Sequence, residues 1–244
     1  TYYVDNIPNN EIENWAKVQS DRFQNMVIRG FHTELEAVYE EKNISMASDN
    51  TKEFAALWKL LTPTHPYGTQ TTIGEQEHLK NPSIINIQNY FHRYYVPNNV
   101  AICMSGDFDP DQTIAIIDKY FGSWKKSDNL SRPEFSAQPD LTAVKDTAVV
   151  GKDAENVMLA WKFKGANDKE NDVLDVISEM LTNGKAGLME VDLEQQMKIA
   201  SASAFTYGLH DYSAFIVAGT PNKDQKLEEA RALLLDEMAK LRRG

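Results

Sequence analysis

The run VAICMSGDF at residues 100–108 constrains the fold more than any other stretch of the sequence. Its first five residues are all apolar, which is typical of a β-strand that is buried on both faces. A buried strand needs hydrogen-bonding neighbours, because peptide groups without a partner are costly away from water. The first half of the chain predicts only one other strand, in TYYVDNIP at residues 1–8. We therefore expect partner strands from a segment upstream of Thr1.

Helical spacing dominates the rest of the first half. Apolar residues recur at helical intervals in five segments, at residues 9–28, 33–46, 51–61, 82–95 and 109–124. The last segment begins at Asp109, a suitable N-cap, followed by Pro110 at the first helical position, where its missing N–H is not needed. Residues 62–74 contain two prolines and two glycines, and this composition predicts a loop between the third and fourth helices.

The second half predicts a sheet with covering helices. Strands are expected at residues 156–165, 198–208 and 211–220, and the last two would form a hairpin across Leu209 and His210. Further helices are expected at residues 168–184, 186–196 and 222–241.

The order of these elements predicts an α+β fold, with layered sheets that carry helices on one face. We expect two similar domains, the first of them incomplete. Residues 1–126 would form the C-terminal part of the first domain. Residues 127–140, which are polar and contain prolines, would be a linker. Residues 141–244 would form the second domain, which could be incomplete at its C-terminus.

Composition argues against several classes of function. A net charge of −11 and a pI near 4.9 argue against a nucleic-acid partner, because phosphate binding needs clustered Lys and Arg. The apolar runs are much shorter than the roughly 20 residues that span a bilayer, so no membrane span is expected. The single cysteine, Cys103, excludes a disulfide framework, and we expect it to be an inert thiol in a buried strand. An exported protein, for example a periplasmic one, would carry its signal upstream of Thr1.

The predicted helix at residues 33–46 carries four glutamates. Glu34 and Glu41 are seven residues apart, so they share a face of the helix and lie about 10 Å apart along its axis. Val38 lies between them and would pack against a neighbour. Glu36 and Glu40 point elsewhere and are expected in solvent. From these residues alone, the simplest interpretation is the solvated helix face of an acidic protein.

Five segments of the sequence carry recognisable motifs. They are WAKVQSDRFQN, ELEAVYEE at residues 34–41, the loop HPYGTQTTIGEQEHL, the long run from YFHRYYVPNN to FGSW, and KAGLMEVDL. In this order they resemble the insulinase and pitrilysin family of zinc metallopeptidases, the inverzincins, in which ELEAVYEE resembles an E-x-E-x-V-x-x-E segment. The resemblance spans nearly the whole chain and implies the layered metallopeptidase fold.

The resemblance also implies roles for two of the glutamates. In that family, two histidines of an H-x-x-E-H helix and a downstream glutamate hold a zinc ion, and the glutamate corresponds to Glu34. Three such ligands leave the fourth position of a catalytic zinc open for water, which the ion activates for peptide hydrolysis. Glu41 corresponds to a second acidic residue, which would orient the ligands and add negative charge near the site.

The sequence departs from the family pattern at the most important point. No H-x-x-E-H motif occurs, and none of the five histidines has another four residues away. The motif would therefore lie upstream of Thr1, in a longer protein that binds zinc and cleaves peptides. We expect this chain alone to bind no zinc tightly and to be inactive. The expected partners are a peptide substrate and the missing C-terminal half or a sister subunit.

Two other functions remain open from the sequence. One is a scaffold of the same fold that binds peptides or a sister subunit without cleaving them. The other is an unrelated acidic α+β interaction domain, for which Glu34 would simply lie in solvent.

The remaining candidate sites have simpler interpretations. DFDPD at residues 107–111 imitates a calcium loop but lacks the glycine and glutamate that such a loop needs. His32 lies near the opposite face of its helix from Glu34 and is expected to pack or to be solvated. His65 is expected to shape a loop, and His92 to cover a helix surface.

Overall fold

The computed structural model describes all 244 residues and contains nine α-helices and three strands. The helices are α1 (Ile12–Gln24), α2 (Phe31–Met46), α3 (Asp49–Leu61), α4 (Pro66–Thr69), α5 (Gln76–Lys80), α6 (Ile84–Tyr94), α7 (Pro110–Phe121), α8 (Glu170–Leu181) and α9 (Leu227–Arg243). The strands are β1 (Val157–Lys164), β2 (Ser201–Gly208) and β3 (Tyr212–Thr220). A π-helical turn spans Glu190–Glu194. The predicted α+β class is confirmed.

The chain divides into two compact units. Unit 1 comprises Thr1–Asn43 and Ile73–Phe135, and unit 2 comprises Ile44–Thr72 and Ser136–Gly244. The segment that contains α3 and α4 thus belongs with the sheet of unit 2, although it comes early in the chain. The predicted domains, residues 1–126 and 141–244 with a linker between them, describe the longer protein and stay a prediction.

Unit 1 is an assembly of helices without a sheet. α1 packs along α7, where the Glu13 carboxylate accepts a hydrogen bond from Lys119 Nζ at 2.6 Å. A row of aromatic rings joins α1 to the end of α6 and to the N-terminal segment, since Phe23 stacks on Tyr95 with ring centroids 6.0 Å apart and Tyr3 meets Phe23 edge-on at 5.2 Å. The pKa of Tyr3 is raised to about 12, mainly by burial and next by the hydrogen bond with the Tyr95 hydroxyl.

Both predicted strands of unit 1 are wrong. Residues 1–8 and 100–108 form no strand, and Ile102 and Cys103 are exposed. The expectation that Cys103 is buried is therefore wrong as well. The physical reason is that a strand exists only with a hydrogen-bonded neighbour, and unit 1 provides none.

The sheet of unit 2 has the strand order β1-β3-β2 with both pairs antiparallel. The predicted hairpin is confirmed, although its loop contains three residues, Leu209, His210 and Asp211, rather than two. β3 is the central strand. Its run from Ser213 to Val217 is fully buried, as expected for a strand that is covered on both faces.

The two faces of the sheet carry two hydrophobic clusters, because successive side chains of a strand point to opposite faces. Phe215 and Val217 of β3 pack with residues of α8 and α9, including Leu174 and Leu234. The alternate residues of β3 pack with α3 on the other face, in the cluster Leu57, Trp58, Leu61, Ala214 and Ile216. Helices thus cover both faces, whereas the sequence predicted one. The difference arises because α3 packs on the sheet of unit 2.

The start of the sheet domain is fastened to the sheet through Gln138. Its buried side-chain oxygen accepts a hydrogen bond from the backbone N–H of Thr64 at 3.1 Å, and the backbone N–H of Gln138 donates to the Tyr212 hydroxyl at 2.8 Å. Lys162 Nζ adds a bond to the carbonyl oxygen of Pro139 at 2.6 Å. The end of the predicted linker is therefore anchored rather than free.

Candidate metal-ligand helix

The two carboxylates that the sequence singled out lie on α2, in unit 1. The chain enters this helix through Gly30, whose φ of +62° is in the left-handed region that favours glycine. The backbone N–H of Glu34 donates to the Gly30 carbonyl oxygen at 3.0 Å, so Glu34 lies in the first turn of the helix. The sequence predicted this helix to begin at residue 33, close to its observed start at Phe31.

The C-terminal part of α2 is fixed by residues that precede and begin α5. Lys42 is buried, and its Nζ lies 4.0 Å from a carboxylate oxygen of Glu75. The next residue of each segment forms a second contact, in which Gln76 Nε2 donates to Asn43 Oδ1 at 2.7 Å. These two contacts orient the helix and leave one of its faces open to solvent.

Glu34 and Glu41 share that open face. Both side chains are exposed, and Val38 between them is half-buried. The neighbouring positions on this side of the helix are Ala37, which is exposed, and Ile44, which is 73% exposed. A single exposed apolar residue is ordinary on a protein surface, so Ile44 does not distinguish this face, and its notable feature is the pair of exposed carboxylates.

The other two glutamates behave as predicted, because Glu36 and Glu40 are both exposed. They line a groove of about 520 Å³ together with His32, Tyr39 and Lys80. The groove contains one histidine and two carboxylates, but these residues do not converge into a set that could hold an ion.

The residues of this chain do not form a metal site by themselves. No group of three or more His, Cys, Asp or Glu side chains is arranged to hold an ion. Glu34 and Glu41 lack a histidine on the same face, and a catalytic zinc needs three protein ligands of this kind. The chain can therefore supply part of such a site at most.

Of the histidines that the sequence singled out, only His65 is buried. His65 is 2% exposed, and its Nδ1 accepts the backbone N–H of Tyr67 at 3.3 Å, which caps α4. Its Nε2 lies 3.1 Å from Asp211 Oδ2 at the hairpin loop, so His65 shapes a loop as predicted. His32 and His92 are exposed.

Sequence reasoning missed two buried carboxylates that organise unit 2. Asp49 accepts hydrogen bonds from the backbone N–H groups of Asp153 at 2.9 Å and Lys152 at 2.6 Å, and from Lys52 Nζ. These bonds, led by the one from Asp153, lower the pKa of Asp49 to about 2. The available signal was Ser48 followed by Asp49, which marks the start of a helix.

Glu190 is the second of these carboxylates. Burial raises its pKa, but backbone N–H groups of the loop at residues 183–187 outweigh burial, and the net effect is a lowered pKa. Its oxygens accept from the N–H groups of Asn183 at 2.9 Å and Gly187 at 2.6 Å. No local sequence motif predicts this arrangement, because the Glu190 carboxylate accepts its hydrogen bonds from a loop that precedes it in the chain.

Comparison with protein families identifies the fold. The family model described as "Peptidase M16 inactive domain" matches residues 85–244, which is more than half of the chain. The chain belongs to the peptidase M16 family. The resemblance that the sequence motifs suggested is thereby confirmed.

Two curated M16 relatives extend the match toward the N-terminus. The chain is 30% identical over 185 residues to the zinc protease PqqE of Helicobacter pylori, which covers 72% of this chain and 41% of that protein. It is 28% identical over 220 residues to the uncharacterized zinc protease YmxG of Bacillus subtilis, which covers 86% of this chain and 50% of that protein. The chain thus spans half or less of the curated relatives that it matches.

Solved structures support the fold independently. A protease from Helicobacter pylori superposes with a TM-score of 0.83 at 23% identity, over 96% of this chain and 58% of that chain. A peptidase M16 inactive domain from Pseudomonas fluorescens gives a TM-score of 0.74 at 15% identity, over 95% of this chain and 56% of that one. At these identities the likeness concerns the fold.

The structure has no helix whose length and apolar character would let it cross a membrane.

Proposed function

We propose that this chain is part of a zinc-dependent endopeptidase of the M16 family and that Glu34 supplies one of its zinc ligands. The other ligands, two histidines, would come from residues outside this chain. Glu41 would lie beside the site, orient the ligands and add negative charge. Because the chain holds only part of the ligand set, the peptidase activity is proposed for the longer protein.

The observation that carries this proposal is the open face of α2. It presents Glu34 and Glu41 to solvent on one side of the helix, where ligands from outside this chain could reach an ion held by Glu34. The relatives named as zinc proteases are about twice as long as the matched region, so they contain residues that could complete such a site. The charge of the helix face also suits a divalent cation.

The second candidate is a scaffold of the same fold that binds peptides or a sister subunit without cleaving them. The description "inactive domain" in the family match favours it. That match begins at residue 85, however, and therefore leaves out α2 with Glu34 and Glu41. The description thus applies to the region that contains α6, α7 and the sheet, and it leaves the role of α2 open to experiment.

The partners and the location of the longer protein follow from the same proposal. A peptide would be the substrate, and a second half or a sister subunit would enclose it. One solved relative is described as a periplasmic protease of Escherichia coli, which supports export of the longer protein.

The test is a peptidase assay on the longer protein with the substitution Glu34→Gln. Loss of a direct ligand should lower activity more than the roughly 10- to 100-fold expected when a residue behind the ligands is changed. Glu41→Gln should fall within that smaller range. Glu36→Gln, on another face of the same helix, is the matched control and should retain activity.

Two results would each reject one part of the proposal, the ligand role of Glu34 or the peptidase activity. Unchanged activity in Glu34→Gln would remove this residue from the metal site. A longer protein that binds peptides but cleaves none, and whose sequence lacks an H-x-x-E-H motif, would establish the scaffold instead.

A further inference from the structure

Asn183 and Gly184 form the only Asn-Gly pair in the sequence, and they lie in the loop between α8 and the π-helical turn. Both residues are exposed. In such a pair the backbone nitrogen of the glycine can attack the side-chain amide carbon of the asparagine, because glycine has no side chain that hinders the approach. The nitrogen gives up its proton, the new N–C bond closes a succinimide ring, and the amide nitrogen leaves as ammonia. The loop thus contains both reactants for a modification of the chain by itself.

The folded loop turns the attacking nitrogen away from this reaction. The N–H of Gly184 donates to Glu190 Oε1 at 2.5 Å, and the N–H of Asn183 donates to the same oxygen at 2.9 Å. The nitrogen attacks with the electron pair that its departing proton leaves behind, and this pair lies along the former N–H bond. That direction points at Glu190 rather than at the Asn183 side chain. The charge of the carboxylate also opposes a second negative charge on the nitrogen.

The side chain of Asn183 is held as well. Its Oδ1 accepts the backbone N–H groups of Lys185 at 3.1 Å and Ala186 at 2.9 Å. Its Nδ2 donates to the carbonyl oxygen of Glu179 at 3.0 Å. These bonds fix one rotamer of the asparagine, so its amide carbon can be realigned with the Gly184 nitrogen only when they break.

The contacts that protect the pair belong to the loop rather than to the core of unit 2. They run to the backbone of α8, to Glu190 and within the loop itself. Gly184 has no packed neighbour, because a Cβ at this position would meet no atom within 4 Å. Exposed loops of this kind open at a lower free energy than buried strands such as β3. Opening of the loop alone would therefore release both reactants.

We propose that Asn183 is a deamidation site, which Glu190 keeps unreactive in the folded loop and which reacts when this loop opens. Water then adds to either carbonyl of the succinimide and leaves aspartate or isoaspartate at position 183. Each product carries a carboxylate next to Glu190, and isoaspartate also lengthens the backbone before Gly184 by one carbon. Both changes oppose return of the Gly184 N–H to Glu190, so the modified loop stays open. The proposal is independent of zinc and of peptidase activity.

The test follows residue 183 by mass spectrometry of a proteolytic peptide while the 244-residue chain is incubated at neutral pH. The folded chain should deamidate about a hundredfold more slowly than the chain unfolded in urea. Aspartate and isoaspartate should both appear, since direct hydrolysis of the amide gives aspartate alone. Glu190→Gln places an NH₂ group among the N–H donors of the loop and should accelerate deamidation of the folded chain about thirtyfold.

Two control variants separate this role of Glu190 from loss of charge and from general loss of stability. Glu179→Gln removes an exposed carboxylate close to the loop but keeps the backbone carbonyl that Asn183 uses, so its deamidation rate should match the unmodified chain. Leu234→Ala weakens the core of unit 2 and leaves the bonds of the loop in place, so its rate should also be unchanged. Equal rates in the folded and unfolded chains, or no acceleration by Glu190→Gln, would overturn the proposal. Acceleration by Leu234→Ala as large as that by Glu190→Gln would overturn it as well, because deamidation would then need unfolding of the whole unit.

Discussion

Unit 2 encloses a three-stranded sheet between α3 on one face and α8 and α9 on the other, whereas unit 1 contains helices and no strand. Both hydrophobic clusters of the structure lie in unit 2. In unit 1, apolar residues of α6 such as Ile84, Ile85 and Tyr90 remain exposed. The same types of side chain are thus buried in one unit and uncovered in the other.

This difference shows what the sheet contributes. A helix in this fold buries its apolar face against a layer, and α8 and α9 have that layer in β1 and β3. α2 and α6 lack one, so their outer faces stay open, including the face that carries Glu34 and Glu41. The open face of α2 and the uncovered residues of α6 therefore have the same physical cause, which is the absence of a sheet in unit 1.

The largest contrast is expected from truncation of a buried side chain. Leu234 is completely buried in unit 2, and Leu234→Ala should lower the free energy of unfolding of that unit by about 3 kcal/mol or more. Ile85 is 68% exposed in unit 1, and Ile85→Ala should change stability by less than about 0.5 kcal/mol. Hydrogen exchange of the β3 amides measures the first effect. Equal effects of the two substitutions would contradict the contrast between the units.

A smaller effect is expected from the loop that surrounds Glu190. Glu190→Gln replaces an accepting oxygen with an NH₂ group that faces backbone N–H donors, which should cost about 2 kcal/mol. Urea denaturation of unit 2 measures this loss. Glu228→Gln, an exposed position in α9, is the control and should unfold at the same urea concentration as the unmodified chain.

The smallest effect depends on pH. Because hydrogen bonds in the folded state lower the pKa of Asp49 from 3.8 to about 2, this group stabilises unit 2 above its unfolded pKa. Its contribution is lost as the pH falls from about 4 to about 2. Asp49→Asn should lower the melting temperature at neutral pH. It should also make the melting temperature fall less steeply with pH below pH 4. If the melting temperature of the variant falls as steeply as that of the unmodified chain, other carboxylates cause the acid sensitivity.

Local signals predicted the helices well. The sequence placed the start of α7 at Asp109, and the Asp109 carboxylate does accept the backbone N–H of Gln112 at 2.8 Å. The hairpin of β2 and β3 was predicted from two β-rich runs around a short polar turn. These features depend on residues a few positions apart, so the sequence contains the information that decides them.

Predictions that depend on distant neighbours were less successful. VAICM at residues 100–104 and AFIVA at residues 214–218 have the same apolar character, but only the second lies in a strand. β3 has a strand on each side, whereas residues 100–104 have none. The packing of α3 on the sheet of unit 2 escaped prediction for the same reason. For the candidate site, the seven-residue spacing placed Glu34 and Glu41 on one helix face. Their roles at a metal site stay a prediction, because the residues of this chain form no complete set of ligands.

The central claim is that Glu34 helps to hold a zinc ion in the longer protein. The zinc content of that longer protein tests the claim most directly. After dialysis against metal-free buffer, the protein should retain about one zinc ion per chain, as expected for three protein ligands. Glu34→Gln should lose most of this zinc, and Glu36→Gln should keep it. Full zinc retention by Glu34→Gln, in a protein that remains folded, would contradict the account.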